Sequence, residues 1–273
     1  MLKEEERKVA KFGFIGMGNM GYAMLSGANS VYKKEELAFS CLRMERKSEV
    51  KEKTGVSFCE DNKELVKSSE YVVLAVKPQV YPQVLEEIRD SVRDQQIVIS
   101  IAPGITTTSV KESLGGRVRV VRAMPNTPAL VKEGMSGICF SEDEYTDEEK
   151  QTVTDFFNSF GKCQVVPEKL MDAVVCASGS SPAYVYLFIE ALADSAVKYG
   201  IPRAQAYTFA AQTVLGSAKM VLETGMHPGV LKDQVCSPGG TTIAAVAALE
   251  EEGFRNAVLK AGDACYEKTV SMK

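Results

Sequence analysis

The stretch Lys11-Phe12-Gly13-Phe14-Ile15-Gly16-Met17-Gly18-Asn19-Met20-Gly21 decides the fold, because it joins an apolar run to a glycine-rich turn. The apolar run predicts a strand, and the helical pattern that begins at Tyr22 predicts a helix. Between them the spacing G-x-G-x-x-G is typical of a dinucleotide-binding turn: its glycines permit a tight turn, close approach to a pyrophosphate, and packing of helix on strand. The N–H groups at the helix start favour phosphate.

Further short apolar runs alternate with helical patterns as far as Phe140. Their continuous apolar character is typical of strands buried on both faces of a parallel sheet. After Glu168 the sequence predicts helices only. We therefore predict an α/β fold, with a doubly wound parallel sheet in residues 1–167 and an all-helical domain in residues 168–273. The predicted strands are Lys11–Ile15, Leu37–Cys41, Tyr71–Val76, Ile97–Ile101, Arg117–Arg122, Ser136–Phe140 and Cys163–Val166. The predicted helices of the second domain include Pro182–Tyr199, Arg203–Glu223, Ser237–Glu251 and Phe254–Met272.

Composition excludes several classes of protein. The 273 residues carry a net charge of −4, which argues against a nucleic-acid partner. No apolar run is long enough for a membrane helix, and the first residues lack the apolar core of a secretory signal. The seven cysteines have no C-x-x-C spacing and there is one histidine, so we expect no metal and a reduced, cytoplasmic protein.

The end of the second strand bears on which dinucleotide binds. A site for NAD usually has an acid there, and Leu37–Cys41 ends without one. Arg43, Arg46 and Lys47 follow, and any of them could hold a 2′-phosphate. Arg43 is nearest to the strand end, whereas a solvated charged helix start is an equal interpretation of the other two. We predict NADPH as the cofactor, with NADH as a second candidate.

Three later strand ends should face the same way, because ligands lie at the carboxyl ends of parallel strands. Ala75–Pro78, Ala102–Gly104 and Met124–Pro128 occupy these positions. Asn126 offers both a donor and an acceptor. We expect the first two segments to line the cofactor groove. Each of the three could be a rigid loop, but three strand ends in register argue for a site that includes Asn126.

A second glycine site, Ser237-Pro238-Gly239-Gly240-Thr241-Thr242, precedes an apolar helix. Ser237 is expected as the N-cap and Pro238 as the first helical residue. Two glycines in a first turn are costly, and approach of an anionic ligand to bare N–H groups would explain them; a flexible loop is the alternative.

Together, Gly13–Gly21, Ala75–Gln79, Met124–Pro128 and, most specifically, Asp233–Thr242 resemble the pyrroline-5-carboxylate reductase family, over nearly the whole chain. The resemblance implies a Rossmann domain and a helical domain that interlocks in a homodimer, often assembled into decamers. It implies reduction of a cyclic imino acid to L-proline by NADPH, the last step of proline synthesis. The implied cofactor residues are Ile15, Gly16, Met17, Gly18, Asn19, Met20, Arg43, Asn62, Ala75, Val76, Lys77, Pro78, Ile101, Ala102 and Pro103, to which the strand-end argument adds Asn126. The implied substrate residues are Ser237, Gly239, Gly240, Thr241 and Thr242, with Thr242 also catalytic. Ser181 departs from the glycine usual in the family, so we assign it no role.

Two other functions remain open from the sequence. A β-hydroxyacid dehydrogenase of the 3-hydroxyisobutyrate type shares the glycine opening and a helical second domain, but it needs a lysine on a G-x-x-x-K pattern. The comparable stretch Gly179–Ala183 has none. A non-enzymatic NADP-binding regulatory protein would keep the glycine turn, but it has no reason to keep Ser237–Thr242.

Overall fold

The computed structural model describes residues 9–271. The chain divides into two compact units: one runs to Ser180 and takes in the chain again from Tyr266, and the other is Ser181–Cys265. None of the helices in residues 9–271 is both long and apolar enough to cross a membrane.

The first unit is built on one eight-stranded sheet in the order β3-β2-β1-β4-β5-β6-β7-β8. Every neighbouring pair is parallel except β6 and β7. The strands are β1 Ala10–Ile15, β2 Leu37–Ser40, β3 Ser57–Phe58, β4 Ser69–Leu74, β5 Ile97–Ser100, β6 Arg119–Met124, β7 Gly134–Phe140 and β8 Gly161–Val165. The predicted α/β class with a mainly parallel sheet is confirmed, and β3 is a strand that the sequence did not predict.

Strand β7 is the one departure from parallel pairing among the eight described strands. This strand runs antiparallel to β6, with Val121 opposite Phe140 and Met124 opposite Gly137. The connection between the two strands holds only the short 3-10 turn Thr127–Val131. A parallel crossover needs about a dozen residues or more. The chain therefore returns beside β6 in the opposite direction.

Helices cover both faces of this sheet. They are α1 Asn19–Ala28, α2 Met44–Thr54, α3 Asn62–Lys67, α4 Tyr81–Ile88, α5 Thr107–Ser113, α6 Asp147–Asn158 and α7 Met171–Val174, followed by a π-helical turn, Val175–Gly179. Successive residues of β4 point to opposite faces: Tyr71 and Val73 join a core with α1 and α6, whereas Val72 and Leu74 join a core with α3, α4 and α5. This alternation explains why four successive residues of the strand, Tyr71–Leu74, are all apolar.

The second unit is helical. Its helices are α8 Ser181–Lys198, α9 Arg203–Thr224, α10 Pro228–Gln234, α11 Thr241–Glu251 and the first part of α12, Phe254–Val270. Buried Ala193, Ala206 and Ala210 form its small core. The predicted end of the last helix at Met272 lies outside the described residues. Helix α10 was not predicted; its N-cap is His227, whose Nδ1 accepts a hydrogen bond from the Gly229 N–H (3.1 Å).

Candidate functional site

The glycine turn has the geometry that its spacing predicts. Gly16 has φ +98°, and a Cβ there would lie 2.8 Å from the Ala75 carbonyl oxygen. A Cβ on Gly21 would lie 2.1 Å from the Gly16 carbonyl oxygen, so this glycine lets α1 pack against the turn. Gly18 is the N-cap of α1, and a Cβ there would meet nothing within 4 Å. The second glycine therefore faces open space, as a ligand would require.

A cleft of about 380 Å³ opens beside this turn. It lies at the carboxyl ends of β1, β2 and β4, where an open parallel sheet binds its ligand. The predicted cofactor residues that line it are Ile15, Gly16, Met17, Gly18, Arg43, Asn62, Ala75, Val76 and Lys77. The lining residues that the sequence did not single out for this cleft are Cys41, Leu42, Val80, Gln83, Val84 and Glu87. Arg46, one of the three cations considered for the 2′-phosphate, also lines it.

The other predicted cofactor residues lie outside this lining, at the same edge of the sheet. They are Asn19 and Met20 in the first turn of α1, Pro78 after β4, Ile101, Ala102 and Pro103 after β5, and Asn126 after β6. The Asn126 side chain already has backbone partners: its Nδ2 donates to the Ser178 carbonyl (3.0 Å), and its Oδ1 accepts from the Met135 N–H (2.8 Å). It thereby connects the end of β6 to the π-helical turn.

The three cations after β2 have different surroundings. Within residues 9–271 the exposed Arg43 guanidinium forms no hydrogen bond or ion pair, and it lines the cleft. Arg46 donates through Nε to the Met17 carbonyl (2.9 Å) and lies over the Tyr22 ring. Lys47 is buried and donates to the carbonyls of Cys59 and Glu60. Arg43 is therefore the cation left available for a ligand.

Tyr81 connects the carboxyl ends of β4 and β5. Burial raises the pKa of its phenol to about 12, so the hydroxyl stays protonated. The hydroxyl donates to the Leu74 carbonyl (2.8 Å) and accepts from the Ser100 hydroxyl and the Ile101 N–H (3.2 Å each). It thus holds the ends of β4 and β5 together. Tyr81 is the first residue of α4, and nothing in the sequence around it indicates that its hydroxyl joins two strand ends.

A buried charged cluster in the same unit was also missed by sequence reasoning. Arg122 of β6 is 1% exposed and donates to Asp172 (3.2 Å) and Glu168 (3.5 Å). Glu168 also accepts from the N–H (2.8 Å) and the hydroxyl (2.7 Å) of Thr107, the first residue of α5. The signal available was an arginine inside an apolar strand, since a buried charge requires a partner.

The second glycine site lies in the helical unit. Helix α11 begins at Thr241 with Gly240 as its N-cap, so the prediction of Ser237 as the cap and Pro238 as the first helical residue is wrong. Residues 237–240 form a turn in which the Gly240 N–H donates to the Ser237 carbonyl (3.0 Å). Gly239 has φ +68°, a conformation that favours glycine. Because it precedes the helix, it does not destabilise α11.

The start of α11 leaves backbone donors available. Its first helical hydrogen bond is from the Ala244 N–H to the Gly240 carbonyl, so the N–H groups of residues 241–243 have no acceptor within the helix. Gly240 supplies no side-chain cap, and both Thr241 and Thr242 are exposed. Such a terminus can bind a carboxylate.

A glycine turn at the start of α1, beside a cleft at the carboxyl ends of a parallel sheet, defines a dinucleotide-binding protein with the Rossmann fold. Two family models match the chain: NADP oxidoreductase coenzyme F420-dependent over residues 11–104, and pyrroline-5-carboxylate reductase dimerisation over residues 168–272. The chain belongs to the pyrroline-5-carboxylate reductase family and is an oxidoreductase with a dimerisation domain.

Similar sequences and solved structures support this family assignment. Pyrroline-5-carboxylate reductase of Escherichia coli (strain K12) is 47% identical over 261 residues, covering 95% of this chain and 97% of the relative. The structure of the Coxiella burnetii pyrroline-5-carboxylate reductase superposes with a TM-score of 0.91 at 34% identity, covering 97% of this chain and 99% of that one. The Plasmodium falciparum pyrroline carboxylate reductase, solved with NADP bound, superposes with a TM-score of 0.84 at 34% identity. The superposition covers 97% of this chain and 98% of that one.

Proposed function

We propose that this chain reduces 1-pyrroline-5-carboxylate to L-proline, the last step of proline synthesis, with NADPH as hydride donor and NADH as a poorer one. The observation that carries the proposal is the cleft beside the glycine turn, in which Arg43 is left without a protein partner. Family membership favours this reaction over 3-hydroxy acid oxidation and over a purely regulatory role.

The residues around the glycine turn fit a dinucleotide. Gly18 leaves room for close approach, and the N–H groups at the start of α1 would bind the pyrophosphate. Arg43 would hold the 2′-phosphate with its planar fork of donors. The segments after β4 and β5 would hold the rest of the cofactor. When bound, the nicotinamide supplies the hydride that is transferred to the imine carbon.

We assign the substrate carboxylate to the start of α11. Of the predicted substrate residues, Gly239 and Thr241 offer N–H groups, whereas that of Gly240 already donates to the Ser237 carbonyl. The Thr242 hydroxyl would orient the ring nitrogen. A threonine is a poor acid, and a protonated imine can bring its own proton, so this residue positions the substrate rather than ionising.

We also propose a homodimer, with a decamer as a further assembly, in which residues 168–273 form the substrate-binding and dimerisation domain and residues 1–167 the cofactor domain. No residue of α11 is buried, although the helix is rich in alanine and also carries Ile243, Val246 and Leu249. Large apolar side chains such as Leu187, Phe209 and Leu222 are also exposed. Such surfaces mark interfaces. All seven cysteines lie in the part of the chain that the structure describes and are reduced thiols, which suits the cytoplasm.

The test is product formation by the purified protein. Incubated with NADPH and 1-pyrroline-5-carboxylate, it should produce L-proline in equal amount to the NADPH oxidised, as measured by chiral amino-acid chromatography. A heat-inactivated sample provides the control. If the active protein binds NADPH but forms no proline, the proposed function is wrong.

A further inference from the structure

Glu87 is an acidic side chain in the cofactor cleft to which neither the sequence motifs nor the proposed function gives a role. It lies in the last turn of α4, is partly buried, and lines the cleft together with Gln83 and Val84 of the same helix. A carboxylate beside a site for an anionic ligand is unfavourable unless it receives hydrogen bonds from that ligand. Its presence there therefore needs a reason.

A chain of hydrogen bonds fixes this carboxylate close to the end of β2. Ser40, the last residue of that strand, donates through its hydroxyl to Asn62 Oδ1 (2.6 Å). Asn62 Nδ2 then donates to Glu87 Oε2 (2.8 Å). The end of this strand is the position at which an NAD site carries its acid, and β2 itself has none. Helix α4 thus places the Glu87 carboxylate close to the strand end at which β2 itself carries no acid.

The other carboxylate oxygen of Glu87 is available to a ligand. Within residues 9–271 Oε1 accepts no hydrogen bond, and an ionised carboxylate can only accept. The ribose hydroxyls are the natural donors at this end of a dinucleotide. A 2′-phosphate there replaces one of those hydroxyls by negative charge, which a neighbouring carboxylate repels and Arg43 attracts.

We propose that Glu87 recognises the adenosine ribose of the bound nucleotide by accepting a hydrogen bond from one of its hydroxyl groups. In the selection between the two nucleotides, Glu87 favours NADH and Arg43 favours NADPH. The proposal rests on the proposed binding of a nicotinamide nucleotide in this cleft. It explains why the cleft holds, beside the cation Arg43, an acid with only one of its two carboxylate oxygens hydrogen-bonded within the described residues. NADPH is preferred because Arg43 contacts the phosphate directly, and Glu87 limits that preference by supporting NADH.

The test uses Glu87→Gln, which keeps the shape and an oxygen for Asn62 but replaces the charge by a neutral amide that can donate. Dissociation constants for NADPH and NADH are measured by nucleotide fluorescence without imine. We expect Glu87→Gln to raise the preference for NADPH about ten- to a hundredfold, the effect of one hydrogen bond to a charged group. Arg43→Ala should lower that preference. Glu86→Gln, an exposed neighbour outside the cleft lining, is the matched control and should change neither constant.

The signs of these changes decide the outcome. An unchanged preference in Glu87→Gln, or a fall like that in Arg43→Ala, overturns the proposal. Equal weakening of both nucleotides with a lower melting temperature would show a purely structural role and would overturn it as well. Because no imine is present, a protein that binds nucleotides but does not form proline would contradict the proposed function alone. A wild-type protein that binds neither nucleotide contradicts both.

Discussion

Arg43, Arg46 and Lys47 follow one strand end, yet their side chains have different partners. Sequence position alone selected Arg43, because it is nearest to the strand. Arg46 also pairs with Glu49 one turn further along its own helix, a contact that local spacing permits. Its contacts with Met17 and Tyr22, and those of Lys47 with Cys59 and Glu60, could not be predicted, because these partners come close only when the sheet has formed. The same is true of Glu87, whose contact with Asn62 joins two helices.

Thr242 is the residue on which the proposed chemistry depends most. Thr242→Ala should lower kcat/KM for the imine by one to two orders of magnitude, about 1.4–2.7 kcal/mol, because the ring nitrogen loses its positioning contact. Steady-state kinetics with NADPH measures this. The matched control is Thr208→Ala, an exposed threonine of α9 whose hydroxyl bonds only to its own helix. If Thr242→Ala keeps the wild-type kcat/KM, Thr242 has no part in the mechanism.

Helix starts show what local sequence can and cannot predict. At α6 the pattern Thr-x-x-Glu is typical of a capping box, and Thr146 and Glu149 form one. At α11 the pair Ser237-Pro238 suggested a cap, but the helix begins at Thr241. The difference arises because Gly239 adopts a positive φ, which makes a turn after the proline and delays the helix.

The Arg122 cluster connects three elements, β6, α5 and α7, and its loss should be costly. Arg122→Met should reduce the free energy of unfolding by about 3–5 kcal/mol, because Asp172 and Glu168 lose their guanidinium partner in a buried setting. Urea denaturation followed by circular dichroism gives the value. Arg203→Met, which breaks an exposed pair with Asp194, is the control and should leave stability nearly unchanged. Equal stability of the two variants would show that the buried cluster contributes nothing.

At the scale of the molecule, the sequence predicted the sheet because each buried strand is a continuous apolar run with turn residues at its ends. It could not predict that β7 runs antiparallel, since direction depends on the length of one connection. It also could not predict β3, which has only two residues. The glycine turn and its neighbours identified one wall of the cleft. The part of the cleft lining that α4 contributes could be identified only from the structure.

The net charge of −4 means that attraction for two anionic ligands must be local. The cleft has Arg43, Lys77 and the N-terminus of α1, and the proposed carboxylate site has the N-terminus of α11. Helix termini and single cations act over short distances in salt, so they favour a ligand by its position rather than by its total charge. We therefore expect the substrate to need its carboxylate for binding.

The most direct test compares 1-pyrroline-5-carboxylate with 1-pyrroline, the same ring without its carboxylate, as substrates for NADPH oxidation. If the start of α11 binds the carboxylate, kcat/KM should be about ten- to a hundredfold higher for 1-pyrroline-5-carboxylate, since a hydrogen bond to a charged group contributes about 1.5–3 kcal/mol. Equal values for the two imines, or no NADPH oxidation with either, would contradict it.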